Sequence, residues 1–207
     1  MSRSEIAYLV RSDLYRYAGS STARDFFRHY FAEPGFRFSF WFRLYQWART
    51  KRYLRYGARQ LISLILRRQT YRFGISISPD ARIGPGLYIG HFGGIVVNKD
   101  VVIGCNLNIS HDVTLGQVNR GSRKGCPTIA DNVYIGPGAK VLGRIHVGSH
   151  SAIGANAVVT RDVEENTSVA GVPARVISNV GSEGYVNRTD YAKQTPPVVS
   201  DPVVSDE

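Results

Sequence analysis

From Ile77 to Glu164 an aliphatic residue returns at every sixth position, and this ladder constrains the fold more than any other feature of the chain. The first run is Ile77, Ile83, Ile89, Ile95, Val101, Leu107 and Val113, and after a break the second is Ile129, Ile135, Val141, Val147, Ile153 and Val159. A period of six matches neither the 3.6 of a helix nor the alternation of a half-buried strand. It suits a coil of short flat strands, each one rung long, with the aliphatic side chain pointing inward and a tight corner after it. Glycine follows the rung at Gly84, Gly90, Gly136, Gly148 and Gly154, and small residues stand two places before it at Ala81, Cys105, Ala139, Ser151 and Ala157. With three rungs to a coil, thirteen rungs predict a little over four coils of a parallel β-helix, about 20 Å of stack.

The remainder of the chain is read around that ladder. Residues 1–74 are expected to be helical, with Ser4 or Ser12 as starts and Pro34-Gly35 as a break. Residues 75–177 form the β-helix, interrupted by a polar loop at 119–127. Residues 178–207, rich in Ser, Asn, Pro and Asp, are expected to be a disordered tail.

The net charge of +10 is concentrated: the stretch between Pro34 and Pro79 holds ten Lys and Arg and no Asp or Glu. That basic, aromatic segment reads first as helices packed on the end of the β-helix with solvated arginines. Contact of residues 36–72 with an anionic membrane surface is a second expectation. Nucleic acid is not an expected partner, because no binding motif accompanies the charge. Cys105 and Cys126 lack metal spacing, so no metal is expected and reduced thiols in a cytoplasm are the default. The start of the chain is interrupted by charge and does not read as a signal peptide, and no stretch reaches the roughly 20 apolar residues of a spanning helix. Cytoplasmic localisation follows, with the inner face of the membrane as a place of contact.

Several motifs lie on the ladder: GHFGG at Gly90–Gly94 followed by IVV, VTLG at 113–116, KGCPTI ending at Ile129, IGPGAKVLG at 135–143, IGANAVVTRDV at 153–163 and AGVPARVI at 170–177. Together they resemble the hexapeptide-repeat acyltransferases, and within them the serine acetyltransferase group. The resemblance implies a homotrimer of left-handed parallel β-helices that binds acetyl-coenzyme A in a groove and needs no metal. It also implies an acceptor held near the GHFGG histidine. It places Gly138, Ala139 and Ala155 along the pantetheine groove, and Thr160, Arg161 and Arg175 near the nucleotide end, where a cation pairs with phosphate.

A thioester is already activated, so the reaction asks for a base near the acceptor hydroxyl, an oxyanion donor and alignment. Imidazole suits proton transfer near neutral pH. His91 is the candidate base: it stands two residues after inward Ile89, so alternation turns its ring outward. His111, four places after Leu107, is a second catalytic or acceptor-binding candidate. If Leu107 lies one coil beyond Ile89, the two rings are roughly 8 Å apart.

Three acceptor-side positions depart from the serine acetyltransferase pattern. Gly90 and Ser76 stand where that pattern has Asp, and Cys126 stands where it has His. Loss of those carboxylates points the acceptor toward a sugar hydroxyl, as in O-acetyltransferases of capsule, exopolysaccharide or lipopolysaccharide synthesis. The alternatives are a serine O-acetyltransferase of cysteine biosynthesis and a non-catalytic β-helix scaffold.

Overall fold

The computed structural model describes residues 1–54 and 56–193. Four helices come first: α1 (Arg3–Ala18), α2 (Ala23–Ala32), α3 (Pro34–Arg49) and α4 (Ala58–Phe73). The cap of α1 is Ser2, not Ser4 or Ser12, because Glu5 three places on completes a reciprocal capping box with it. Thr22 and Asp25 do the same for α2. The break expected at Pro34-Gly35 falls at Glu33, between α2 and α3, and Pro34 opens α3 in its first turn, where a missing N–H removes no bond.

The ladder folds into a parallel β-solenoid of about five turns with three flat faces. The first face stacks β1 (Ile75–Ile77), β4 (Ile95–Val97), β7 (Thr114–Gly116), β10 (Lys140–Leu142) and β13 (Val158–Val159). The second stacks β2 (Arg82–Ile83), β5 (Val102–Ile103), β8 (Thr128–Ile129) and β11 (His146–Val147). The third stacks β3 (Tyr88–Ile89), β6 (Asn108–Ile109), β9 (Tyr134–Ile135), β12 (Ala152–Ile153) and β14 (Ser168–Ala170), with β15 (Arg175–Ser178) closing it antiparallel. Every rung of the ladder is buried.

The register corrects the ladder's phase. Ile77 pairs with Val97, Ile83 with Ile103 and Ile89 with Ile109, so the first coil takes twenty residues rather than eighteen. The two extra residues lie in the corner at 90–94. From there Ile95, Val101, Leu107 and Val113 fill the inner position two places before the rung, the one held by Ala81 and Ala139 in other coils. At the far end the chain shortens instead, since Val147 is followed by Val163 and Ile153 by Val169 in the next coil. The last coil therefore falls out of the six-residue phase, which is why the ladder predicted fewer turns.

A solenoid end exposes unpaired backbone that must be covered. Here α1 and α3 cover the first coil by side-chain hydrogen bonds. Arg43 donates to the carbonyls of Ile83 and Gly84, each at 2.6 Å, and Arg16 donates to that of Gly86 at 3.0 Å. The Leu87 N–H donates to Asp13 at 2.8 Å, and the Tyr17 hydroxyl accepts from the Ile89 N–H at 2.9 Å while donating to its carbonyl. Arg43 and Asp13 are themselves a buried ion pair at 3.0 Å. The expectation of solvated arginines is thus corrected at Arg43, which is fully buried because both its charge and its donors are used.

At the other end, residues 179–193 of the segment expected to be disordered run back along the solenoid to α1. The Ser182 N–H donates to the His150 carbonyl at 2.8 Å, and Tyr185 stacks on Tyr134 with ring centroids 4.4 Å apart. The Tyr15 hydroxyl donates to Asp190 at 2.9 Å, and Tyr191 is buried against Tyr8 and Tyr15. Residues 194–207 lie outside the described residues. Among the described residues, no helix is long and apolar enough to cross a membrane.

Candidate active site

The candidate catalytic residues gather at the corner between the third and first faces. After β3 it is the five-residue GHFGG turn, and after β6, β9 and β12 four residues separate the strands. Because Ile89, Ile109, Ile135 and Ile153 are stacked partners, the outward positions two residues beyond them form one column: His91, His111, Pro137 and Ala155. His91 and His111 meet edge to face, with ring centroids 5.9 Å apart and planes at 81°. This is closer than the roughly 8 Å expected from an offset register. His91 is exposed and His111 half-buried. Next to His91, Phe92 is half exposed and touches Phe73 at the end of α4, centroids 5.6 Å apart.

A second column holds the left-handed residues of the same corners: Gly94 at φ 64°, Asp112 at φ 56°, Gly138 at φ 73° and Asn156 at φ 55°. Each glycine makes room for the side chain of the coil above. A Cβ on Gly94 would lie 1.8 Å from Asp112 Oδ1, and one on Gly138 would lie 2.0 Å from Asn156 Oδ1. The Asp112 N–H donates to the Gly93 carbonyl at 2.8 Å, and Lys140 Nζ donates to the Asp112 carbonyl. An exposed carboxylate is therefore lodged against the GHFGG turn, directly after His111 in sequence. Sequence reasoning missed Asp112; its one signal was that adjacency.

Above the histidines the column narrows to small residues. Gly138, whose N–H donates to the His111 carbonyl at 3.0 Å, and exposed Ala155 continue the same corner. Beside Pro137, Gly138 and Ala155 present little or no side chain along that corner, so the residues present fit a thin pantetheine arm. Ala139 does not belong with them. Its side chain is fully buried inside the prism and its N–H and C=O are both bonded within the solenoid, to Gly136 and Thr114. The expectation that it lines the groove is corrected. Thr160 and Arg161 are exposed at the opposite edge of the first face, and Arg175 is exposed on β15, with Nη1 donating to the Ala174 carbonyl at 2.9 Å. The structure thus separates these three from the histidines and leaves them accessible on the last coil.

The polar loop leaves β7 at Gln117 and returns as a hairpin in which Val118 and Gly125 exchange backbone bonds at 3.0 and 2.9 Å. Burial pushes the thiol of Cys126 up, away from a reactive thiolate. Among the described residues, no group of three His, Cys, Asp or Glu could hold a metal ion.

Comparison with known proteins follows this geometry. The family pattern described as bacterial transferase hexapeptide (six repeats) matches residues 126–161. The serine acetyltransferase of Synechococcus elongatus is 44% identical over 108 residues, 52% of this chain and 44% of that protein. That of Buchnera aphidicola is 39% identical over 142 residues, 68% of this chain and 52% of that protein. The chain spans about half the length of these curated relatives. The crystal structure of serine acetyltransferase from Brucella abortus superposes with a TM-score of 0.69 at 34% identity, covering 86% of this chain and 71% of that one. The same enzyme in complex with coenzyme A gives a TM-score of 0.72 at 34% identity over 86% and 70% of the two chains.

These likenesses overturn the expectation of a sugar acceptor in polysaccharide synthesis, and Asp112 removes its physical basis. Gly90 and Ser76 supply no carboxylate to the acceptor side, whereas the fold brings Asp112 to the histidine corner from the next coil. By its register, its corner and its relatives, the chain belongs to the hexapeptide-repeat transferases, as a homologue of the serine acetyltransferases.

Proposed function

We propose that this chain transfers the acetyl group of acetyl-coenzyme A to the hydroxyl of serine. The observation that carries the reading is the His91–His111 pair at the foot of the small-residue column, in a chain homologous to serine acetyltransferases. His91 takes the hydroxyl proton as the oxygen attacks the thioester carbonyl, and the imidazolium returns that proton to the sulfur as the C–S bond breaks. His111 presents a second imidazole to the same reacting centre and holds the acceptor oxygen in line. Asp112, beside Gly94, accepts the ammonium group of serine.

Acetyl-coenzyme A supplies the activated acyl group. Gly138 and Ala155 leave the path for its pantetheine arm, and Arg161 and Arg175 on the last coil answer its phosphates. The active assembly is a homotrimer, which would set the accessible column of one solenoid against the flank of the next. Support for this part of the reading comes from the family's architecture.

The test is product identification. Purified chain incubated with acetyl-coenzyme A and L-serine should release one thiol for each O-acetylserine formed. Formation of no acetylated serine under conditions where the chain binds coenzyme A would refute the proposal.

A further inference from the structure

We propose that the outward face of α4 docks on the surface of an anionic phospholipid membrane. The inward side of the helix is Leu66, Gln69 and Phe73, which are buried against the rest of the protein. Opposite them, Leu61, Leu64, Arg68 and Tyr71 fall at helical spacing on one stripe, flanked by Arg67 and Arg72. Leu61, Leu64 and Tyr71 are 59%, 64% and 73% exposed, more than an ordinary surface helix leaves to water in a row. The Arg67 guanidinium lies 5.6 Å from the Tyr71 ring centroid, so cation and aromatic are already gathered on the same patch.

Charge selects the partner. Arg67, Arg68 and Arg72 are exposed, and none of the three is in an ion pair among the described residues. The whole stretch from Pro34 to Pro79 contains no acidic residue, so two copies of this face would bring like charges together. Leucine and tyrosine at the level of lipid headgroups, with arginines toward their phosphates, is the arrangement that an interfacial helix uses. The inference is independent of the acetyl-transfer reading.

The experiment uses the full chain with two vesicle populations, phosphatidylcholine alone and phosphatidylcholine mixed with phosphatidylglycerol, and measures the fraction that sediments with lipid. Binding is expected to the anionic vesicles only and to fall as salt rises. Arg67→Gln with Arg68→Gln should lower partitioning roughly 30-fold, and Leu64→Ser with Tyr71→Ser roughly tenfold. All four positions are exposed, and circular dichroism of each variant should match the parent. Equal retention on both vesicle types, retention on neither, or retention indifferent to both double variants would overturn the proposal. So would a fall in oligomeric mass caused by the same substitutions, which would assign the face to another copy of the chain.

Discussion

The ring of His111 stands edge-on to the ring of His91, 5.9 Å away, because Ile109 lies directly over Ile89 and each histidine follows its rung by two places. The two residues that lengthen the GHFGG corner are taken up in the turn itself, so Ile109 stacks on Ile89 just as Ile153 stacks on Ile135 across an eighteen-residue coil. Gly94 leaves the space that the Asp112 carboxylate fills.

Asp112 provides a prediction specific to the acceptor. Asp112→Asn removes the charge and keeps the size, so the left-handed corner should persist. A hydrogen bond to a charged group contributes about 1.5–3 kcal/mol, so KM for serine should rise roughly 10- to 150-fold. KM for acetyl-coenzyme A should be unchanged. Steady-state kinetics with each substrate varied in turn checks both.

The buried pair beneath the first coil provides a prediction about stability. Burial pushes the Asp13 carboxyl up, and the Arg43 guanidinium beside it pulls it down. Arg43→Met removes that partner and leaves a buried carboxylate, with the Ile83 and Gly84 carbonyls of the first coil losing their donor. The loss should be about 3–5 kcal/mol, measured by denaturant unfolding. A double change, Arg43→Met with Asp13→Leu, should recover part of it.

How much of this could be read from residues alone follows from the chemistry of particular positions. The solenoid was legible because a period of six has no other common explanation. The phase slip was not, since Ile95 and Val97, Val101 and Ile103, Leu107 and Ile109, and Val113 and Leu115 are all aliphatic and satisfy either register. Only the hydrogen-bonded partners choose between them. Arg43 looked like any other arginine in a basic stretch, because its partner Asp13 lies thirty residues away in another helix. The outward position of His91 was legible from its place two residues after Ile89, whereas Asp112 reaches the same corner only through the register that the ladder concealed.

The return segment provides a pH prediction. The Tyr15 hydroxyl, as the largest cause, holds the Asp190 carboxyl below its ordinary value. A depressed folded-state value stabilises docking above the ordinary carboxylate range, and that contribution is lost as pH falls through the lowered value. Amide protection in residues 185–193, taken relative to the intrinsic exchange rate at each pH, should therefore fall selectively in acid. Tyr15→Phe should raise exchange there at neutral pH and flatten the acid dependence, while amides of β9 and β12 are unaffected.

The most direct test of the central claim is kcat/KM for acetyl transfer to L-serine by His91→Asn, with coenzyme A affinity measured on the same protein. General-base catalysis by His91 predicts a fall of roughly 100- to 10,000-fold with coenzyme A binding and unfolding behaviour retained. A His91→Asn protein that turns over serine as fast as the parent would contradict it.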